Sequence, residues 1–313
     1  MNQRYAVLFA VTCLTFAGCN KKDAGVIVDP ALSTLVPGDT TLLVGIRAED
    51  LMKTALYQKY LADKALGPLD DFARETGLDV RSQVWEVLLV SNGKESVVLG
   101  RGKFSNEAEP RLATEAKGAK RMSYKGFTMI GDERTAVLFI SPTVAGVGDT
   151  AGLRRVVDAR DQTNGPPAIL ATRMKDVPRE AAIWSVYAGP PISLPPNAPA
   201  NLGNLTKVLN SIESGSFYMD LRNAISGKAT GYTASDQKAK ELHDALRGLL
   251  GMAKLMGGKD DAKMQRIYDG LRVTQDARNV NLYVEEQEDA IVTLMNLFMN
   301  RPQAPVRPKS PPR

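Results

Sequence analysis

His243 is the only histidine in the 313-residue chain. General acid–base work near neutral pH falls most often to histidine, so a Ser-His-Asp arrangement would have to run through it. No G-x-S-x-G elbow accompanies it. It stands between Leu242 and Asp244, beside an apolar stripe, and reads as a solvated or satisfied helix residue. Ser91-Asn92-Gly93-Lys94 spells S-x-x-K, the pattern of penicillin-binding nucleophiles. That chemistry needs the serine to open a helix, with the lysine one turn on. Here the four residues make a hairpin turn, and no K-T-G appears in the chain. Gly146-Val147-Gly148-Asp149-Thr150-Ala151 fits G-x-G-x-x-A. Dinucleotide binding needs a parallel βαβ unit and an acid about 20 residues on, yet residues 166–173 hold no acid. The stretch reads as a loop into a helix capped by Asp149 or Thr150.

Two acidic runs, Asp260-Asp261 and Glu285-Glu286-Gln287-Glu288-Asp289, lack the alternating ligands and glycine of a calcium loop. Both are expected where helices begin, where acids complement the helix dipole. Trp85 and Trp184 lie in predicted strands and are expected in the core. No catalytic, metal or cofactor site is expected from these patterns. Paired carboxylates of the glycosidase kind leave no spacing signature, so a carboxylate-dependent hydrolase stays as a third reading.

The two cysteines carry a different chemistry. An apolar run over 6–16 follows Arg4, the only charge before Cys19. Eleven helical residues reach about 16 Å, well short of a ~30 Å bilayer core, and the form is that of a secretory signal. The run ends Phe16-Ala17-Gly18-Cys19. This segment resembles the lipobox of bacterial lipoproteins, with Phe16 where that family usually has Leu. The resemblance implies cleavage before Cys19, acylation of its thiol and a membrane anchor. Cys13 leaves with the signal, so acylation also accounts for the single cysteine left in an exported chain. Asn20 is not the aspartate that retains lipoproteins at the inner membrane in well-studied Gram-negative systems, which implies the periplasmic face of the outer membrane.

The formal net charge of +5 is unevenly placed. Arg4, Lys21, Lys22, Arg301, Arg307, Lys309 and Arg313 stand at the two ends; taking these seven from 40 Lys and Arg leaves 33 against 35 acids. The body is therefore not a basic nucleic-acid surface. Residues 301–313 hold five prolines, which deny a helix or a ladder. They read as a solvated cationic tail, with anionic envelope polymers as a second reading.

These residues need elements to hold them. Pro37-Gly38-Asp39-Thr40 opens a strand at 41–46, and helices are expected at 48–62 and 68–76. Asn92-Gly93 between β-rich runs predicts a hairpin. A helix at 107–117, strands at 120–124, 127–130 and 136–140, and a helix at 151–160 follow. The second stretch repeats the order: a strand at 182–187, a helix near 202–211, and a hairpin in which Phe217, Met219 and Leu221 alternate with polar residues. Asp236 is expected to N-cap a long helix, a short one spans 262–268, and a last hairpin pairs Leu271, Val273 and Gln275 with Val280, Leu282 and Val284. A closing helix is expected at 288–299.

The expectation is α+β, with a signal at 1–18, a lipidated tether at 19–37, and two similar halves at 38–163 and 164–300. Each half is expected to hold a mainly antiparallel sheet packed with helices. The boundary is expected at Asn164-Gly165-Pro166-Pro167. The Pro37-x-Asp39-Thr40 opening and this layout resemble exported bacterial proteins of unassigned function over roughly residues 35–300, and bring no functional residues with them. The reading is a lipid-anchored envelope protein with a non-catalytic, binding or structural role, its partners the membrane through Cys19 and envelope proteins. The alternative is a carrier for a lipid or other small apolar ligand, held between a sheet and the long helix.

Overall fold

The computed structural model describes residues 25–62, 79–104, 110, 112, 119–162, 165–189, 209–222, 224–256 and 262–286. The expected lipobox, the proline-rich tail and the expected helices at 68–76 and 288–299 lie outside these residues, as does most of those at 107–117 and 202–211.

Twelve strands make one sheet: β1 (Leu42–Ile46), β2 (Val84–Ser91), β3 (Ser96–Gly102), β4 (Lys120–Tyr124), β5 (Phe127–Gly131), β6 (Thr135–Ser141), β7 (Val144–Asp149), β8 (Ile183–Ala188), β9 (Ile212–Asp220), β10 (Ile225–Thr233), β11 (Leu271–Asp276) and β12 (Asn279–Glu286). Their order is β11-β12-β10-β9-β8-β1-β2-β3-β7-β6-β5-β4, and every pairing is antiparallel. The fold is α+β, as expected, but one sheet stands where two were expected. The joint is the β1–β8 ladder, with Leu42 opposite Tyr187 and Ile46 opposite Ile183. Outward from this joint run β2-β3-β7-β6 on one side and β9-β10-β12-β11 on the other, with β5-β4 extending the first.

Helices α1 (Pro30–Ser33), α2 (Ala48–Met52), α3 (Ala55–Tyr60), α4 (Val80–Gln83), α5 (Thr150–Arg160), α6 (Ala168–Met174), α7 (Asp236–Met256) and α8 (Ala262–Asp269) fill the connections. The single helix expected over 48–62 is broken, because Thr54 caps a new one by accepting from the Tyr57 amide. Helix α6 and strand β7 were not expected. Glycines at 146 and 148 conceal β7 from a propensity reading, yet it bridges β3 and β6.

Register carries the face assignment across the sheet. Leu43 lies opposite both Val90 and Val186. This face holds the largest core, in which Leu43, Leu88, Leu99, Leu138 and Trp184 pack with Leu153 and Val156 of α5 and Leu170 of α6. Leu42 belongs to the other face, in the row through Tyr187, Gly215, Gly231 and Val280. There α7 packs Ala239 and Leu242 against Val280, and α3 packs Leu56 against Ile225. The Leu43–Val186 row continues as Ser216, Thr230, Asn281 and Thr274. The α6 face thus turns from apolar to polar across the sheet; Ser216, Thr230 and Asn281 are nonetheless buried, and the Thr230 hydroxyl donates to Asn281 Oδ1 at 2.9 Å, as buried polar groups require.

Residues expected as tether are built into the core. Val26, Val28, Leu32, Leu35 and Val36 are all buried. The alternation Val26, Val28 followed by helical spacing at Leu32 and Leu35 is long enough to seal the sheet beneath α1.

Candidate binding groove beside the chain entry

The chain enters the described fold at Gly25. The amide of Val26 donates to the carbonyls of Met174 at 3.1 Å and Val177 at 3.0 Å. Met174 is the last residue of α6 and Val177 stands in the turn after it, where its own amide donates to the Met174 carbonyl at 3.2 Å. A side chain at residue 25 could not fit, since a Cβ there would lie 2.1 Å from the Met174 carbonyl oxygen. Between this entry segment and α6 lies an open groove of about 660 Å³, lined mostly by apolar atoms, with Val26, Ile27, Val28, Pro166, Ala171 and Met174 joined by the polar residues Ser33, Thr172, Lys175 and Asp176.

The C-terminal turn of α6 is fastened to the sheet. The Tyr232 hydroxyl donates to Asp176 at 2.8 Å, and the Arg173 guanidinium stacks 3.6 Å above the Tyr232 ring. Arg173 also reaches Asp176 at 3.3 Å. Burial, aided by the Asp176 hydrogen bond and charge, pushes the Tyr232 phenol above its ordinary range. These contacts staple α6 to β10.

Two further cavities are described. One, of about 370 Å³, is lined by Asp50, Lys53, Thr54, Ala55, Glu180, Ala182 and Arg222. Its cations are engaged: Lys53 pairs with Glu49 at 2.7 Å and Arg222 with Asp220 at 2.5 Å. The other holds only about 10 Å³, beside Thr40, Ser91 and Arg155, which is one water at most. Arg155 closes it by pairing with Asp39 and, at 3.0 Å, with Glu95. No residue of α7 lines any of these three cavities.

The motifs read from the sequence fall apart in space. Cys19 lies outside the described residues. His243 is on α7, its Nδ1 3.0 Å from its chain neighbour Asp244, a carboxylate also held by Lys240 at 2.7 Å. The carboxyl of Asp244 is kept below the ordinary range chiefly by that lysine, so it is no free partner for a catalytic imidazole. Ser91 ends β2, and its hydroxyl donates to the Glu95 carbonyl while accepting from the Gly93 amide. Lys94 points to solvent from the turn. Ser91 is therefore a hairpin lock. Gly146 and Gly148 lie in an antiparallel strand, where a Cβ at 148 would meet the Ser96 carbonyl oxygen at 2.3 Å. They allow close packing of strands and α5, with no phosphate cradle. Asp149 is the N-cap residue of α5, but its side chain makes no cap hydrogen bond. Its carboxylate accepts from the Ser96 amide at 2.6 Å instead.

Trp184 is buried, as expected, with its indole lying across Gly45. Trp85 is not: it is 36% exposed beneath the Arg101 guanidinium, 5.4 Å away. The register shift between Val84 and Glu86 turns it out of the core. Glu285 and Glu286 stand in β12 rather than at a helix start; Asp260, Asp261 and residues 287–289 lie outside the described residues. Among the described residues, no three His, Cys, Asp or Glu side chains are grouped to hold a metal ion, and no helix is long and apolar enough to cross a membrane. The groove was invisible in sequence because its walls come from residues 25–33 and 166–176. The one local signal was the apolar pair Val26 and Val28 inside an expected tether.

No family model and no curated protein matches the chain. Among solved structures it is similar to crystal form III of TP0453, with a TM-score of 0.52 at 10% identity over 87% of this chain and 99% of that one. Crystal forms I and IV of TP0453 give TM-scores of 0.48, at 10% and 11% identity. The likeness to form III is one of fold.

Proposed function

We propose that this protein is a lipid-anchored envelope protein that works by binding or assembly, without catalytic turnover of its own. The observation that supports it most is where the chain enters the fold. Gly25 and Val26 are clamped to the end of α6 beside an open, mostly apolar groove, only a few residues beyond Cys19. The lipobox then places diacylglyceryl on the Cys19 sulfur, and each buried CH₂ adds about 0.8 kcal/mol of membrane affinity. The outer membrane's periplasmic face is the expected site, from Asn20. Metabolic labelling with a palmitate analogue and membrane fractionation test the reading. Wild type is expected to be labelled and sediment with membranes; Cys19→Ala is expected to lose the label and appear uncleaved or soluble. A mature-length Cys19→Ala chain that still fractionates with membrane would overturn it.

The groove supports a second reading, as a carrier for a small apolar ligand, since about 660 Å³ lies within the range of ligand pockets. Extraction and mass spectrometry of lipids that co-purify with the native protein decide it: a stoichiometric lipid favours the carrier. The strand order about the β1–β8 joint also supports descent of the two halves from one duplicated unit, with β4 and β5 as an insertion in the first.

A further inference from the structure

Residues 20–24 are all that separate Cys19 from Gly25. A chain spans at most ~3.3–3.6 Å per residue, so the Gly25 Cα can stand no more than about 22 Å from the Cα of the acylated cysteine. A leash this short also holds the body near the bilayer at an effective concentration in the millimolar range. A small, weak contact surface is then enough to fix the orientation of the body.

The surface at the end of the leash suits that role. Ile27 is 49% exposed although its neighbours Val26 and Val28 are buried. Ile169 is 47% exposed on α6, one turn before Thr172, which lines the same groove. Residues three apart on a helix share a face, so Ile169 stands next to Thr172, which lines the groove together with Ile27. Lys175, exposed, lines the same groove and supplies a cation that suits an anionic headgroup. The other strongly exposed apolar pair, Met252 at 52% and Leu255 at 84%, belongs to α7, which packs on the opposite face of the sheet.

We infer that the α6 face, with Ile27 and Ile169 at its tips, rests on the phospholipid bilayer that holds the anchor, and that the α7 face looks away from it. This rests on the lipoprotein reading of Cys19. The acylated protein, purified from native membrane, is reconstituted into phosphatidylcholine–phosphatidylglycerol vesicles containing doxyl-labelled phosphatidylcholine. Ile169→Cys and Leu255→Cys are each labelled with an environment-sensitive fluorophore; acylated Cys19 does not react. The label at 169 is expected to shift to the blue and to be quenched at least twofold more than the label at 255. Ile27→Glu, added to the 169 variant, is expected to lower that quenching while vesicle flotation is kept. Flotation with equal quenching at the two positions, or stronger quenching at 255, overturns the docking alone. Loss of flotation in the wild type overturns the anchor reading, and the docking with it.

Discussion

Glu86 sits on β2 beside Asp29, Arg47 and Arg101, and burial, reinforced by the Asp29 charge, raises its carboxyl above the ordinary range. Asp29 is itself committed, capping α1 through the Ala31 amide and pairing with Arg101 at 2.8 Å. The sign of the linkage follows directly. A carboxyl with a raised pKa in the folded state is a destabilising charge above that pKa, and the penalty disappears as pH falls below the unfolded value. Glu86→Gln is therefore expected to stabilise the protein at pH 7, by less than about 1 kcal/mol because solvent still reaches the group. That corresponds to a rise in Tm of at most about 2–4 °C. The gain should shrink towards zero near pH 4. Thermal unfolding across pH checks this, and a variant less stable than wild type at neutral pH would show that the carboxylate is a needed partner of the cations.

At the scale of elements, α7 is a helix of unequal halves. Ala239 and Leu242, fully buried, hold its first turns against β12. Its C-terminal end carries exposed Met252 and Leu255, with Lys254 tied to Asp269 of α8 at 2.9 Å. Leu242→Ala is expected to cost about 2–5 kcal/mol, the range for a cavity in a close-packed core. Leu255→Ala is expected to change stability by no more than about 0.5 kcal/mol. Urea unfolding of both variants tests the division; equal losses would mean that Leu255 is covered by another part of the molecule. By contrast, α6 is held by polar means as well, through Tyr232, Arg173 and Asp176, as suits a short helix with one face turned to the groove.

At the scale of the whole molecule, the β1–β8 ladder makes the two halves one body. Leu43, Val186, Leu88 and Leu170, drawn from both sides of the joint, share one core. Separating the halves would expose β1 and β8, two central strands, with unpaired edges. Unfolding is expected as a single transition, with the same midpoint by tryptophan fluorescence, which Trp184 reports from the joint, and by far-ultraviolet circular dichroism. Two resolved transitions would show that each half folds alone.

The sequence by itself determined what local physics decides. The last hairpin pairs Leu271 with Val284, Val273 with Leu282 and Gln275 with Val280, as its alternation predicted. The Asn92-Gly93 turn takes its place with Gly93 at φ 86°, where glycine has no steric penalty. The long helix forms, though Asp236 is its first residue rather than its cap: the Ser235 hydroxyl takes the cap position by accepting from the Lys238 amide at 3.2 Å. Period and turn chemistry act between neighbours, so they are written in the chain. What only the tertiary structure decided is which strand edges meet. Leu42 and Tyr187 carry no mark that they pair, because any antiparallel strand of suitable length offers the same amides and carbonyls. For the same reason the sequence could not show one sheet in place of two. Nor could it place Val26 and Val28 in the core, turn Trp85 out to solvent, or raise a groove from residues 25–33 and 166–176. Burial depends on what lies across the fold, and local spacing does not encode it.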